Sequence, residues 1–167
     1  MFRALLLPCL VACLACPEPA SARDRLGVFG AWAAFRDAKP SRCYAISEPD
    51  RAILPEKPQW RPFFAVGDWP GRRVAGQVHV RLAKPRKPGT PLRLTVGAAR
   101  FDMVSAGPEA WAPDAAADAA ITAALRISRR ATVTGIARDG TAIRDGYALK
   151  GAATAVDAVR LGCGKAG

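Results

Sequence analysis

Few side chains in this sequence belong to types that commonly perform chemistry, and the single histidine is the first of them. His79 alternates with Gln77 and Arg81, which places it on the polar side of a predicted strand. An imidazole can act as a general acid or base, but one histidine on a polar strand face is usually a surface residue. We therefore interpret His79 as a surface residue with no catalytic role.

Two carboxylates, Asp114 and Asp118, stand one helical turn apart and could imitate the paired carboxylates of an envelope hydrolase, which the fold could also assemble from other Asp or Glu residues. Their place at the predicted start of a helix favours capping by Asp114 and a helix-dipole role for Asp118. The sequence contains no nucleophile elbow, no metal-ligand spacing and no phosphate-binding loop. We predict no catalytic residue, no metal site and no cofactor, and the Asp/Glu hydrolase remains the alternative.

The five cysteines fall into two groups. Three of them lie within the first twenty-two residues, and they are Cys9, Cys13 and Cys16. Cys43 and Cys163 remain, and an even number of cysteines in an oxidising compartment indicates a disulfide between them. Two buried free thiols are the alternative.

The first twenty-two residues have the features of a secretory signal peptide. Arg3 precedes an apolar run over 4–15, and Ala20-Ser21-Ala22 has the small-x-small form of a cleavage site. The apolar run is shorter than a bilayer-spanning helix requires. We expect a signal peptide over 1–22 and a periplasmic mature chain from residue 23, with no transmembrane span and with association to the outer membrane as an option.

A competing interpretation of the leader is a lipoprotein signal. Leu10-Val11-Ala12-Cys13 resembles a lipobox, in which the cysteine is acylated and anchors the protein to a membrane. The apolar stretch before Cys13 is short for that purpose, which favours ordinary cleavage after Ala22. A lipoprotein anchored at Cys13 remains the alternative.

The chain is strongly basic, with 25 Lys and Arg against 14 Asp and Glu and a formal net charge of +11. Half of its 167 residues are hydrophobic, which is typical of a folded chain, and we expect a single domain over 23–167. An excess of positive charge favours anionic partners, either an envelope component or an envelope protein. Nucleic acid is not expected as a partner of an exported chain without a nucleic-acid-binding motif.

The bases are densest between residues 72 and 93, where no acid intervenes. Trp69 lies just before this stretch, and aromatic side chains beside cations are typical of binding surfaces. We predict a basic binding face made of Arg81, Lys84, Arg86, Lys87, Arg93 and Trp69. A soluble surface that happens to be rich in arginine is the alternative.

Alternating apolar and polar residues dominate the chain from residue 23 onward, whereas a helical spacing occurs in two places only. Strands are predicted over 28–35, 43–46, 63–66, 77–82, 92–96, 100–104, 132–137, 141–143 and 147–149, with a proline-rich loop over 49–62. Helices are predicted after Asp114 and over 151–160. The pattern indicates a mainly β fold, an antiparallel β-sandwich or partly open barrel with two short helices.

Three segments together resemble the invasion-associated locus B family of exported alphaproteobacterial proteins. They are Phe29-Gly30-Ala31-Trp32 with Cys43-Tyr44-Ala45-Ile46, the helix and strand over 120–136, and Tyr147-Ala148-Leu149-Lys150-Gly151-Ala152. The resemblance implies a periplasmic or outer-membrane-associated β-sandwich without known catalysis. Relatives often carry a further close cysteine pair in mid-domain, whereas residues 101–111 here contain no cysteine. The resemblance therefore implies a divergent member of the family. Our own hypothesis, based on the basic face, is that it binds a component of the envelope without catalysing a reaction.

Overall fold

The computed structural model describes residues 23–52 and 59–164. Within them, eleven strands and two helices follow one another in chain order. They are β1 (Arg23–Phe29), β2 (Trp32–Asp37), β3 (Arg42–Ser47), β4 (Phe63–Trp69), β5 (Val74–Arg81), β6 (Arg93–Val96), β7 (Ala99–Asp102), β8 (Val104–Ala106), β9 (Glu109–Trp111), α1 (Ala115–Ile127), β10 (Arg130–Ile136), β11 (Ala142–Ala148) and α2 (Ala152–Cys163). The predicted signal peptide over 1–22, with its three cysteines, lies outside the described residues, as does part of the predicted loop over 49–62.

The strands form two antiparallel sheets, which confirms the prediction of a β-sandwich with two helices. The larger sheet has seven strands in the order β1-β2-β3-β4-β5-β9-β8, and the smaller sheet has the order β11-β10-β6-β7. Both helices and the smaller sheet contribute to one core against the inner face of the larger sheet. The outer face of the larger sheet is therefore left open, as is the outer face of the smaller sheet.

The core between the sheets is built by alternation along the strands. Phe64 of β4 points inward, with its ring centroid 5.7 Å from that of Trp32 and 5.4 Å from that of Tyr147. All three rings are fully buried, and the indole N–H of Trp32 donates to the carbonyl of Ala148 at 3.0 Å. Such aromatic clusters contribute both buried apolar area and favourable ring geometry.

The first predicted strand, over 28–35, is wrong, because the chain reverses in the middle of it. Gly30 has a φ of +60°, and a Cβ there would lie 2.5 Å from the backbone oxygen of Lys150. The turn therefore depends on glycine, and β1 and β2 pair as a hairpin on either side of it. The strand-like pattern of residues continues through this turn, so the sequence alone did not show that the chain reverses there.

Two further boundaries also differ from the prediction. The predicted strand over 100–104 is divided at Met103, because β7 belongs to the smaller sheet and β8 to the larger one. The separate strand predicted over 147–149 is the end of β11, which pairs without interruption with β10. The polar residues before Tyr147 suggested a break, but Asp145 among them is buried and remains in register with Val133.

The helix signals are largely confirmed. Asp114 caps α1, since its carboxylate accepts from the backbone N–H of Ala117 at 2.8 Å. Asp118 accepts from the backbone N–H of Val78 at 2.7 Å, so it also ties α1 to β5. Burial raises the pKa of the Asp118 carboxyl. Both carboxylates thus have structural partners.

Cys43 and Cys163 join the middle of the fold to its C-terminal end. Cys43 is a fully buried residue of β3, and Cys163 is the last residue of α2. Their sulfur atoms are at disulfide distance, 1.96 Å, with the Cα atoms 5.8 Å apart. The pairing expected from the cysteine count is therefore present in the structure.

No helix in the described part of the chain is both long enough and apolar enough to cross a membrane.

Candidate ligand-binding surfaces

The six residues predicted to form one basic face are distributed over both sheets. Arg81 and Trp69 lie on the outer face of the larger sheet, and Arg93 lies on the outer face of the smaller sheet. Lys84, Arg86 and Lys87 belong to the segment that connects β5 to β6. The dense run of bases in the sequence therefore does not produce a single dense surface.

Several of these bases also have partners of their own. The Lys84 ammonium donates to the Thr141 hydroxyl at 2.9 Å and lies 3.3 Å from the Asp139 carboxylate. Arg86 donates through Nε to the Ser105 hydroxyl and through Nη1 to the carbonyl of Thr90. Much of the charge in this stretch is thus engaged in holding the connection between the sheets.

A second set of cations, which we call the arginine face, covers the outside of the smaller sheet. Cross-strand pairing brings Thr132 beside Thr95 and Gly146, and Thr134 beside Arg93 and Arg144. Most of its members are strand residues that alternate with residues pointing into the core. Arg51 is the exception, because it lies beside β11 and outside the strands. They are Arg51, Arg93, Thr95, Arg100, Arg130, Thr132, Thr134 and Arg144.

A hollow of about 420 Å³ lies at the edge of the arginine face, lined by Arg51, Arg130, Thr132 and Arg144. Its floor is Gly146, where a Cβ would lie 2.6 Å from the Arg130 guanidinium. The backbone of Arg51 holds this edge in place, since its carbonyl accepts from the N–H of Gly146. Glycine at this position allows the Arg130 side chain to lie flat against β11.

The arginine face carries more positive charge than its carboxylates neutralise, although Asp102 lies opposite Arg93 on this face at 3.4 Å. Arg130 makes a bidentate pair with Asp50, with N–O distances of 2.8 and 2.9 Å, and that hydrogen bonding lowers the pKa of the Asp50 carboxyl. Arg51, Arg100 and Arg144 are exposed and make no ion pair with any residue that the structure describes. Three guanidinium groups on one sheet face are therefore available to an anionic ligand.

The outer face of the larger sheet has a different chemistry, because aromatic rings line it. A trough of about 330 Å³ crosses this face, with Ala65 and Gly67 of β4 between taller side chains of β3 and β5. We call this surface the aromatic trough. The rings of Tyr44, Phe63, Trp69 and His79 line it. Behind them, Phe35 packs against Tyr44 and Trp111 stacks on His79.

His79 lies in the middle of these rings, which corrects its interpretation as a simple surface residue. Its imidazole stacks on Trp111 at 5.2 Å and 4°, meets the edge of Phe63 at 5.1 Å, and bonds to the Glu109 carboxylate at 2.6 Å. The side chain is 24 % exposed. Burial lowers the pKa of His79, although the hydrogen bond and charge of Glu109 work in the opposite direction. His79 is therefore a ring that its neighbours hold in one position.

Arginines stand at both ends of the aromatic trough. The Arg42 guanidinium lies 5.0 Å from the centroid of Tyr44, and that of Arg81 lies 5.2 Å from the centroid of Phe63. At the first end, Asp37 is paired with Arg42 at 2.7 Å and with Arg23 at 3.0 Å. Burial favours a higher pKa for Asp37, but hydrogen bonds from the two arginines outweigh it and lower the pKa.

The aromatic trough was not predicted, apart from Trp69 and Arg81. Each of its strands contributes only one to four of the residues, and pairing across the sheet assembles them. In one row, for example, Trp111 lies opposite His79, and His79 lies opposite Ala65. The available signal was the repetition of aromatic and arginine residues at alternate positions, as in Arg42-x-Tyr44 and His79-x-Arg81. Without the strand register, this signal did not identify a site.

Little in the structure favours the hydrolase alternative. None of five hollows among the described residues is lined by two carboxylates. Asp145 is a buried carboxyl with its pKa raised to about 6 by desolvation, but its contact is the backbone N–H of Ala83 at 2.8 Å. No group of three or more metal-ligating side chains occurs in the same part of the chain.

Comparison with known proteins gives no independent guide to function. No family model, no curated protein and no solved structure matches the chain. Membership of the invasion-associated locus B family therefore stays a prediction, based on the three segments quoted above.

Proposed function

We propose that this chain is an exported, non-enzymatic cell-envelope protein of the invasion-associated locus B type that binds anionic groups of the envelope through its arginine face. The observation that carries the proposal is the set of unpaired guanidinium groups of Arg51, Arg100 and Arg144 on one sheet face. The net charge of +11 supports it, because a positive field attracts an anionic surface over a distance comparable to the Debye length.

The chemistry of the arginine face suits phosphate groups. Each guanidinium has five N–H donors in a fixed plane, which can donate two parallel hydrogen bonds to phosphate oxygens. Hydroxyls of Thr95, Thr132 and Thr134 lie between the arginines in the cross-strand rows and can donate further hydrogen bonds. A sheet presents these donors on one broad face, so the proposed ligand is the phosphate layer of an anionic lipid surface.

The proposed location rests on the sequence of the leader together with the bridge. A signal peptide over 1–22 directs the chain out of the cytoplasm, and disulfides persist in oxidising compartments. The juxtaposed sulfur atoms of Cys43 and Cys163 are consistent with such a compartment. The periplasm, with the chain held at a membrane surface by charge, is the location we propose.

Removing two of the unpaired arginines is expected to weaken membrane binding. The double variant Arg51→Gln with Arg144→Gln should lose about thirtyfold in affinity for vesicles rich in anionic phospholipid, because each cation near such a surface contributes about 1 kcal/mol. Cosedimentation with these vesicles at low salt measures the loss. Raising the salt to about 1 M should abolish binding of the wild type, since charges are then screened within about 3 Å.

The matched control is Arg72→Gln with Arg73→Gln, which removes the same net charge from the exposed turn between β4 and β5. We expect this control to bind within about threefold of the wild type. Equal losses in the two double variants would show that only net charge matters and that the arginine face is not the site. Binding that is unaffected by salt would contradict the proposal altogether.

A further inference from the structure

The aromatic trough lies on the opposite side of the sandwich from the arginine face, and the proposed function does not use it. We propose that the trough binds a segment of acidic polysaccharide. Sugar rings would lie against its aromatic rings, and carboxylate or phosphate groups of the polymer would pair with Arg42 and Arg81. This second site goes beyond the proposed membrane contact.

The shape of the trough suits an extended chain. Its open part follows β4 from Phe63 to Gly67, a distance of about 13 Å at the usual rise per strand residue. Ala65 keeps the floor low, whereas the Trp69 ring lies over Gly67, where a Cβ would be 2.8 Å from the ring. The trough is therefore longer than a single sugar and closed at one end by an indole.

The rings of the trough are fixed before any ligand binds. Tyr44 packs against Phe35 at 5.7 Å, and His79 is held between Trp111, Phe63 and the Glu109 carboxylate. A pyranose ring has an apolar C–H face and polar hydroxyls at its edge, so it fits flat rings bordered by hydrogen-bonding groups. Rigid aromatic side chains also lose little conformational entropy on binding.

The excess of positive charge at the trough favours an acidic polymer over a neutral one as the ligand. Arg23, Arg42 and Arg81 outnumber the paired carboxylates Asp37 and Glu109 at the two ends. Each arginine uses only one or two of its donors on those carboxylates, so further N–H groups remain for a ligand. Groups of negative charge repeated along a polymer can reach both ends at once.

The backbone argues against an added peptide strand as the occupant. Under the trough, β3 and β4 are each paired on both sides within the sheet, and β5 is paired on both sides at residues 79–81, where it meets β9. The backbone N–H and C=O groups of these paired stretches are therefore not available for the strand addition by which many domains bind peptides. Side chains alone make the site, which suits a ligand recognised by its rings and charges.

The test is isothermal titration of the oxidised mature chain with oligogalacturonate and with the lipid-free core oligosaccharide of lipopolysaccharide, which carry carboxylate and phosphate groups respectively. We expect binding of at least one of them. Ala65→Leu should weaken it about tenfold, because Ala65 is 8 % exposed and a leucine there fills the trough. Ala142→Leu, at an exposed position of β11 on the other sheet, is the matched control and should bind as the wild type does.

A second variant keeps the proposal testable if Ala65→Leu does not fold. Arg42→Gln leaves Asp37 paired with Arg23 and should weaken binding about fivefold while reducing its salt dependence. The proposal is overturned if neither acidic glycan binds, if polyglutamate binds equally well, or if a single-stranded nucleic acid binds more tightly than both glycans. Vesicle binding by Ala65→Leu should be unchanged, so failure at the trough and failure at the arginine face are distinguishable.

Discussion

Removing the bridge between Cys43 and Cys163 is expected to lower the free energy of unfolding by about 3–5 kcal/mol. The two cysteines are 120 residues apart in sequence, so the bridge closes a long loop of the chain. In the chain-entropy account, closing a loop of that length restricts the unfolded state by nearly 5 kcal/mol. The bridge also holds α2 against β3, because Cys163 ends the helix and Cys43 is buried in the strand.

Urea denaturation of the oxidised chain, of the reduced chain and of the double variant Cys43→Ser with Cys163→Ser measures this effect. The reduced chain and the double variant should unfold at similar, lower urea concentrations, and reductant should leave the double variant unchanged. An unfolding midpoint that is the same with and without reductant, once full reduction is verified by alkylation, would contradict the expectation. Such a result would mean that α2 is held by packing alone.

Replacing Asp145 by asparagine is expected to stabilise the protein at neutral pH by about 1–3 kcal/mol. Asp145 is 1 % exposed, one of its oxygens has no hydrogen-bond partner, and desolvation raises its pKa from 3.8 to about 6. The folded state therefore binds this proton more tightly than the unfolded state does. Each pKa unit corresponds to about 1.4 kcal/mol, which sets the upper end of the expected gain.

The sign of the pH dependence follows from the raised pKa. The contribution of Asp145 to the free energy of unfolding is complete below the unfolded-state pKa of 3.8, and it is lost as the pH rises through about 6. Asp145→Asn retains an acceptor for the N–H of Ala83 but cannot ionise. The gain in stability of the variant should therefore be absent below about pH 4 and complete at about pH 7.

Urea unfolding of the wild type and of Asp145→Asn across this pH range is the measurement. Asp139→Asn is the matched control, because Asp139 is exposed and hydrogen bonds from Thr141 lower its pKa to about 2. The control should follow the wild-type pH profile between about pH 4 and 7. If the difference between Asp145→Asn and the wild type does not change with pH, Asp145 does not titrate in this window.

Local signals in the sequence were sufficient for the fold class and for many of its elements. The cap at Asp114, the Asp139-Gly140 hairpin turn and the alternation along β5 each depend on residues near one another in the chain, and each is present in the structure. The pairing of Cys43 with Cys163 could also be predicted without any geometry, because only these two cysteines lie beyond the first twenty-two residues. These features together favour a β-sandwich with two helices.

Features that depend on contacts across the sheets were missed. The reversal at Gly30 depends on its close approach to the backbone of Lys150. The change of sheet at Met103 depends on the pairing of β8 with β9 in the larger sheet, whereas β7 pairs with β6 in the smaller sheet. Neither is visible in the local pattern of apolar residues. The aromatic trough is of the same kind, since Phe63, His79 and Trp111 become neighbours only through strand pairing.

The basic run over 72–93 shows why charge along the sequence is a weak guide to a surface. Its arginines and lysines are distributed over the two sheets and the segment that connects them. Several of them donate hydrogen bonds to neighbouring side chains. The unpaired guanidinium groups come instead from separate segments at Arg51, Arg100 and Arg144. A charged surface is therefore better recognised from strand register than from local charge density.

The most direct test of an exported protein held at the envelope by charge is a salt wash of envelope fractions from cells that produce it natively. We expect about 1 M salt to release the protein without detergent, whereas about 0.15 M salt should leave it bound. The released chain should have the intact mass of a chain that begins at Arg23, with two cysteines alkylated only after reduction. Retention through the salt wash, with release by detergent of a chain lipidated at Cys13, would contradict this account, as would an uncleaved chain in the cytoplasm.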